Sequence, residues 1–124
     1  MRARTKYIVV YVTFPDLRTA RRIVEGLVRT RRAACGNIFR ISSIYRWKGR
    51  IEKGAEYAAL IKTRASTYRS VERYIRERHP YEVPEIIEWN IVGGLPAYLA
   101  WIKKTTDRTN GSQVGRRPAK VAQK

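Results

Sequence analysis

The run Tyr7-Ile8-Val9-Val10-Tyr11-Val12-Thr13 carries apolar or β-branched residues at both parities, which predicts a central strand covered on both faces. Pro15 and Asp16 open a helix, proline suiting a first turn and aspartate the positive end of the dipole. Ala20, Ile23, Val24, Leu27 and Val28 then recur with the 3.6-residue period, while Arg18, Arg21, Arg22, Arg29 and Arg32 fall largely elsewhere. One face of this helix packs and the rest is solvated. From Asn37 to Trp47 the odd positions Phe39, Ile41, Ser43, Tyr45 and Trp47 alternate with Arg40, Ser42 and Arg46, the pattern of a long half-buried strand. Lys48-Gly49-Arg50 supplies the glycine of a tight hairpin. A returning strand lies within Ile51 to Thr63, with Gly54 expected as a bulge.

Ser66 is the expected N-cap of a second helix that turns Val71 and Ile75 inward and ends before Pro80. Ile86 to Val92 predicts a fourth strand, with Ile87, Trp89 and Ile91 on one side and Glu88 and Asn90 on the other. Gly93-Gly94 ends it, and Pro96 to Lys103 forms a short C-terminal helix that packs through Tyr98, Leu99 and Ile102. The order β-α-β-β-α-β plus a terminal helix predicts an α+β, ferredoxin-like fold, with two helices on one face of a four-stranded antiparallel sheet. The long β2-β3 hairpin projects past the core of so small a domain, and the second sheet face has no cover. An unpaired apolar edge of this kind is a liability that further copies of the chain relieve.

The length of 124 residues and 44% hydrophobic content allow one domain with a real core. Its expected extent is residues 1–105, and residues 106–124, without aromatic and large apolar side chains, read as a basic disordered tail. No apolar stretch approaches the roughly 20 residues of a membrane-spanning helix. The basic start Met1-Arg2-Ala3-Arg4 leads into a strand-like run rather than a signal-peptide core, so a cytoplasmic location is expected. The net charge of +17 belongs mainly to the folded body, because residues 106–124 set Arg108, Arg116, Arg117, Lys120 and Lys124 against Asp107. Helical spacings such as Glu72 with Arg76 and Arg73 with Glu77 mark much of this charge as solvated surface.

The densest chemistry is His79-Pro80-Tyr81-Glu82-Val83-Pro84-Glu85, where two prolines fix an extended turn holding an imidazole and carboxylates near an aromatic ring. It reads as a rigid loop entering the fourth strand, or as a ligand or metal site in which neutral His79 is the metal donor, with Tyr81 and Glu82 beside it. Cys35, in a small-residue stretch, reads as a buried small hydrophobe or as a weaker metal donor. As a lone cysteine it forms no internal disulfide, and no second cysteine completes a structural zinc site. Trp47 beside Lys48 and Gly49 reads as an interface or core aromatic and as a candidate ligand contact. No Ser-His-Asp arrangement, glycine-rich phosphate loop or acid–base pair is visible, so an enzyme is not expected.

Ala33-Ala34-Cys35-Gly36-Asn37-Ile38, Ser43 to Glu52 (Ser-Ile-Tyr-Arg-Trp-Lys-Gly-Arg-Ile-Glu), Ile61-Lys62-Thr63, His79 to Glu85 and Tyr98-Leu99-Ala100-Trp101-Ile102 together resemble the CutA family of divalent-cation-tolerance proteins. Thr13-Phe14-Pro15-Asp16 adds to the resemblance, which covers about residues 6 to 104. It implies a homotrimer of ferredoxin-like subunits whose hairpins pair between chains, similar in architecture to PII signalling proteins. It also implies a role in tolerance of divalent metal cations, with copper or another small ligand at intersubunit clefts. Some members carry a cysteine where this chain has Val12 and a second histidine where it has Arg78, so of that set His79 remains.

Two other classes stay open. A nucleic-acid-binding module would use the basic surface and a topology shared with RNA-recognition domains, but Ala58-Ala59-Leu60-Ile61-Lys62 stands where those domains place glycine and stacking aromatics. A trimeric scaffold would present surfaces to partners without a small ligand.

Overall fold

The central pair of the sheet is β1 (Tyr7–Phe14) against β3 (Arg50–Arg64), flanked by β2 (Cys35–Trp47) and β4 (Ile86–Asn90). All pairings are antiparallel, in the order β2-β3-β1-β4. With α1 (Leu17–Arg29), α2 (Tyr68–Arg78) and α3 (Pro96–Thr105), this is the expected ferredoxin-like fold with its long hairpin. The computed structural model describes residues 5–108. The tail expected from residue 106 therefore lies, from residue 109 on, outside the described residues.

Alternation along β1 separates two environments. Ile8, Val10 and Val12, paired with Thr63, Ile61 and Ala59, are fully buried against Ile23 and Leu27 of α1 and Val71 and Ile75 of α2. Tyr7, Val9 and Tyr11 face the other way and are half-buried. The two-sided cover expected for β1 is thus complete on the helical side only. On the open side Trp89 stacks on Tyr11 at 5.8 Å, and Trp101 and Ile102 of α3 cover Tyr7, Ala34 and Cys35. Arg64 fastens the end of α3, donating from Nε and Nη2 to Thr106 Oγ1 and its carbonyl oxygen at 2.9 Å each.

Local chemistry moved several boundaries. Asp16 caps α1: its carboxylate accepts the Thr19 N–H at 2.8 Å, which lowers the Asp16 pKa, and Pro15, expected in the first turn, stands one residue before the cap. Ser66 caps nothing. Ala65 still donates its N–H to the Lys6 carbonyl at 2.8 Å, so a short 3-10 turn at Ala65–Thr67 comes first and α2 begins after Thr67. His79 ends α2 in extended backbone before Pro80, as a pre-proline residue should. β4 stops at Asn90 instead of Val92, though Ile91 still donates to the Tyr7 carbonyl at 3.0 Å. Val28, expected inward, is 37% exposed at the margin of the α1 face. Ion pairs form at Arg29–Glu25 and Arg78–Glu77 rather than at Glu72–Arg76 and Arg73–Glu77.

Gly54 makes no bulge: it pairs with Ser43 in an unbroken register from Cys35↔Lys62 to Trp47↔Arg50. Lys48 (φ 49°) and Gly49 (φ 77°) close the hairpin with positive φ at both loop positions, the I′ geometry that matches strand twist. The β1 pairing of β3 ends at Phe14↔Tyr57, so from Ile41↔Glu56 to the tip the hairpin is a two-stranded arm about 20 Å long. Ile44, Tyr45, Trp47 and Ile51 are all exposed on it, and a two-stranded ribbon alone is marginal in water.

α1 lies close enough to β2 that a Cβ on Gly36 would fall 2.6 Å from Val24 Cγ1, a methyl held near the helix backbone. Gly36→Ala is expected to lower stability by about 1–3 kcal/mol through overpacking. A urea midpoint equal to that of the wild type at the same protein concentration would show that the helix and sheet can separate freely there.

Candidate functional site

The His79–Glu85 segment leaves α2 beside the end of β1, and His79 is held there from every side. Its ring stacks on Phe14 at 5.2 Å and lies 4.9 Å from the Tyr81 ring, and the residue is 8% exposed. Nδ1 accepts the Tyr81 backbone N–H at 3.1 Å, so the proton sits on Nε2, which donates to the Thr13 carbonyl at 2.8 Å. Burial holds the imidazole pKa below its usual range, against the Thr13 hydrogen bond and the Glu56 charge, which favour the cation. The ring is a neutral strut whose two nitrogens both hold backbone groups. A metal could take either nitrogen only by breaking one of those bonds.

Beyond the strut, Tyr81 donates its hydroxyl to Glu56 Oε2 at 2.8 Å, tying the loop to the base of the arm. Burial, followed by Glu56, Tyr45 and Asp16, pushes the Tyr81 phenol pKa well up, so it stays a donor. Burial and the Glu85 and Glu56 carboxylates likewise raise that of Tyr11. A tyrosine- and carboxylate-rich corner therefore forms where β1, the base of the arm and the loop meet. Glu56 was not among the expected site residues. Its signal was a carboxylate within a strand-like run between Ala55 and Tyr57, where acidic residues are disfavoured unless partnered.

The other expected residues lie apart. Cys35 pairs with Lys62, opposite Val9, about 13 Å along the strands from Thr13, and its Sγ is 3.2 Å from the Tyr98 hydroxyl oxygen. It is half-buried rather than fully buried. Trp47 is at the hairpin tip, 59% exposed with Lys48 Nζ 5.8 Å from its ring, about 20 Å beyond Glu56. Glu82 lines a shallow hollow with Arg73, Arg76, Glu77 and Pro84 on the α2 side. Among the described residues no three His, Cys, Asp or Glu side chains gather to hold a metal ion. Any divalent-cation site would have to draw on donors that the described residues of one copy do not bring together.

The sequence model of the CutA1 divalent ion tolerance proteins matches residues 8–105. The chain belongs to the CutA1 family. The CutA homolog of Xenopus laevis is 45% identical over 93 residues, covering 74% of this chain and 62% of that protein. The divalent-cation tolerance protein CutA of Pyrococcus horikoshii is 37% identical over 101 residues, covering 82% and 99%. Among solved structures, the periplasmic divalent cation tolerance protein CutA of Archaeoglobus fulgidus superimposes with a TM-score of 0.80 at 37% identity, covering 82% and 99% of the two chains. CutA1 from Shewanella sp. SIB1 gives 0.81 at 36% identity, covering 83% and 97%. The chain spans 62%, 58% and 55% of the frog, mouse and Arabidopsis CutA proteins. The CutA1 match thus covers the sheet from Ile8 on, the arm and the His79 strut.

His79 is the sole histidine of the chain, so its ring resonances can be followed alone. Its folded pKa is depressed, so the unfolded chain binds this proton first. The strut's contribution is then fully present above about pH 6.5 and is lost as pH falls through the folded value. An NMR titration should place the imidazole midpoint below that of a free histidine. A midpoint at or above the free value would contradict the paired neutral ring.

Proposed function

We propose that this CutA1-family chain works as a homotrimer in divalent-cation tolerance, binding rather than catalysing, with the Tyr81–Glu56 corner facing a cleft between copies. The observation that carries the reading is the apolar surface left open by one copy. Phe39, Ile87 and Trp89 on the open sheet face and Tyr45 and Trp47 on the arm are each more than 40% exposed, and an arm of this length needs a partner strand or surface. Sister copies supply both with the same interface.

Copper or another divalent cation is then held by donors pooled across the cleft, with Glu56 and Glu85 the carboxylates at this corner and His79 placing Tyr81. Nucleic acid is the second reading for the open sheet face: the middle of β3 offers Ala58, Leu60 and Lys62 there, in place of the stacking aromatics that RNA-recognition domains carry on that strand. No helix among the described residues is long and apolar enough to cross a membrane. Relatives are named as chloroplastic and periplasmic; for this chain we keep the cytoplasm.

Sedimentation at micromolar protein should return a trimer, and a stable, well-folded single subunit would overturn the assembly. Calorimetric titration of that trimer with copper and zinc should show saturable uptake, weakened in Glu56→Gln and in His79→Ala. Equal, weak uptake by all three proteins would remove the cation from this corner while leaving the trimer standing.

A further inference from the structure

The helical face, opposite the open sheet face, holds a different construction around Tyr74. The ring lies against α1 at Gly26, where a Cβ would fall 1.8 Å from the Tyr74 hydroxyl oxygen. A glycine inside a helix is unfavourable, yet here it makes room for the ring. The Arg78 guanidinium carbon stands 3.6 Å from the ring centre and that of Arg32 5.1 Å. Arg32 donates from Nε to Ser70 Oγ at 2.9 Å. Arg78 Nη1 reaches the Tyr74 carbonyl oxygen at 3.1 Å and the Glu77 carboxylate at 3.3 Å.

This crowding is electrostatically costly. Burial, and then the charges of Arg108, Arg78 and Arg73, weaken the hold of Arg32 on its proton, with Tyr74 acting in the opposite sense. Among the described residues, Glu77 is the carboxylate in ion-pair contact with this cluster. Arrays of like charge are stabilised by a multivalent counter-anion. Guanidinium forks match phosphate oxygens, and stacking on an aromatic ring leaves their N–H edges available for in-plane hydrogen bonds.

We propose that Arg32 and Arg78, stacked on Tyr74 beside the Ser70 hydroxyl, form a binding site for phosphoryl groups, with Arg73, the residue before Tyr74 on α2, adding positive charge at its edge. The site does not depend on the metal reading or on the trimer, because it lies on α2 and the loop after α1, away from the Tyr81–Glu56 corner and the open sheet face. Its chemistry fits a free polyphosphate or the phosphates of a nucleic-acid backbone, and these two sources differ in their salt dependence.

The test is calorimetric titration of the full-length protein with sodium triphosphate and, separately, with a short single-stranded RNA, each at low and physiological salt. Arg32→Gln, Arg73→Gln and Arg78→Gln are compared with Arg18→Gln, which removes the same charge from an exposed position on the first turn of α1. Saturable triphosphate binding that weakens about tenfold in each cluster variant, and less than about twofold in Arg18→Gln, supports the site with a free anion as its source. The same variant pattern with RNA, together with a steeper salt dependence, supports it with a backbone as its source. Arg73 is exposed, so its replacement should leave the fold intact even if a ring-stacked arginine proves structural. Absence of saturable binding to either probe, or equal losses in all four variants, would overturn the proposal.

Discussion

The β2–β3 ladder is longer than the rest of the chain can shelter, and most other features answer to that mismatch. One end of β3 lies between β1 and β2 under two helices, where Ile61 and Thr63 are fully buried. The other end has one neighbouring strand and no helix. A single uninterrupted register carries the strand from one environment to the other, so the arm inherits its position and twist from the core. No bulge at Gly54 interrupts it, and both faces of the arm carry apolar side chains.

The junction between core and arm is where the His79 strut stands. One imidazole there ends α2, accepts from the loop, donates to β1 and stacks on a core phenylalanine. A cation would fit poorly: protonation of Nδ1 would turn the Tyr81 N–H toward another donor. The ring is thus better placed to fix Tyr81 than to bind a metal. Tyr81 passes the constraint to the arm through Glu56. The chemistry of this corner depends on phenols and carboxylates positioned by histidine.

Element type and order were legible in the sequence because each segment carries one clear period: mixed parity in β1, alternation in β2, and the 3.6-residue spacing in α1. What was missed depends on neighbours that a periodic reading cannot see. Ser66 looked like a cap, but the Ala65–Lys6 hydrogen bond keeps that stretch attached to the sheet for another turn. Gly54 looked like a bulge, although an exposed two-stranded arm tolerates glycine in plain register. Among the candidate site residues, His79 and Tyr81 were recognisable as neighbours because Pro80 and Pro84 fix the loop between α2 and β4, though that loop turns Glu82 toward the α2 side. Their remoteness from Cys35 and Trp47, and the part played by Glu56, follow from strand register, which is fixed only once the sheet is assembled.

The distribution of charge sets the terms for any assembly of so basic a chain. Like charges at an interface cost free energy over roughly a Debye length, about 8 Å at physiological ionic strength. On the open sheet face the exposure of that charge is limited: Lys62 Nζ donates to Asn37 and to the Leu60 carbonyl oxygen, and Arg64 is engaged with Thr106. The stacked arginines around Tyr74 stand on α2 and the loop after α1, on the helical side of the sheet. Segregation of this kind lets an apolar surface meet its own copy while the cations remain in solvent, where they keep the outer surface soluble and open to anions. A chain with its arginines shared evenly between the two faces would have to neutralise them before its sheets could meet, so their placement, more than the net charge of +17, would govern association in the proposed assembly.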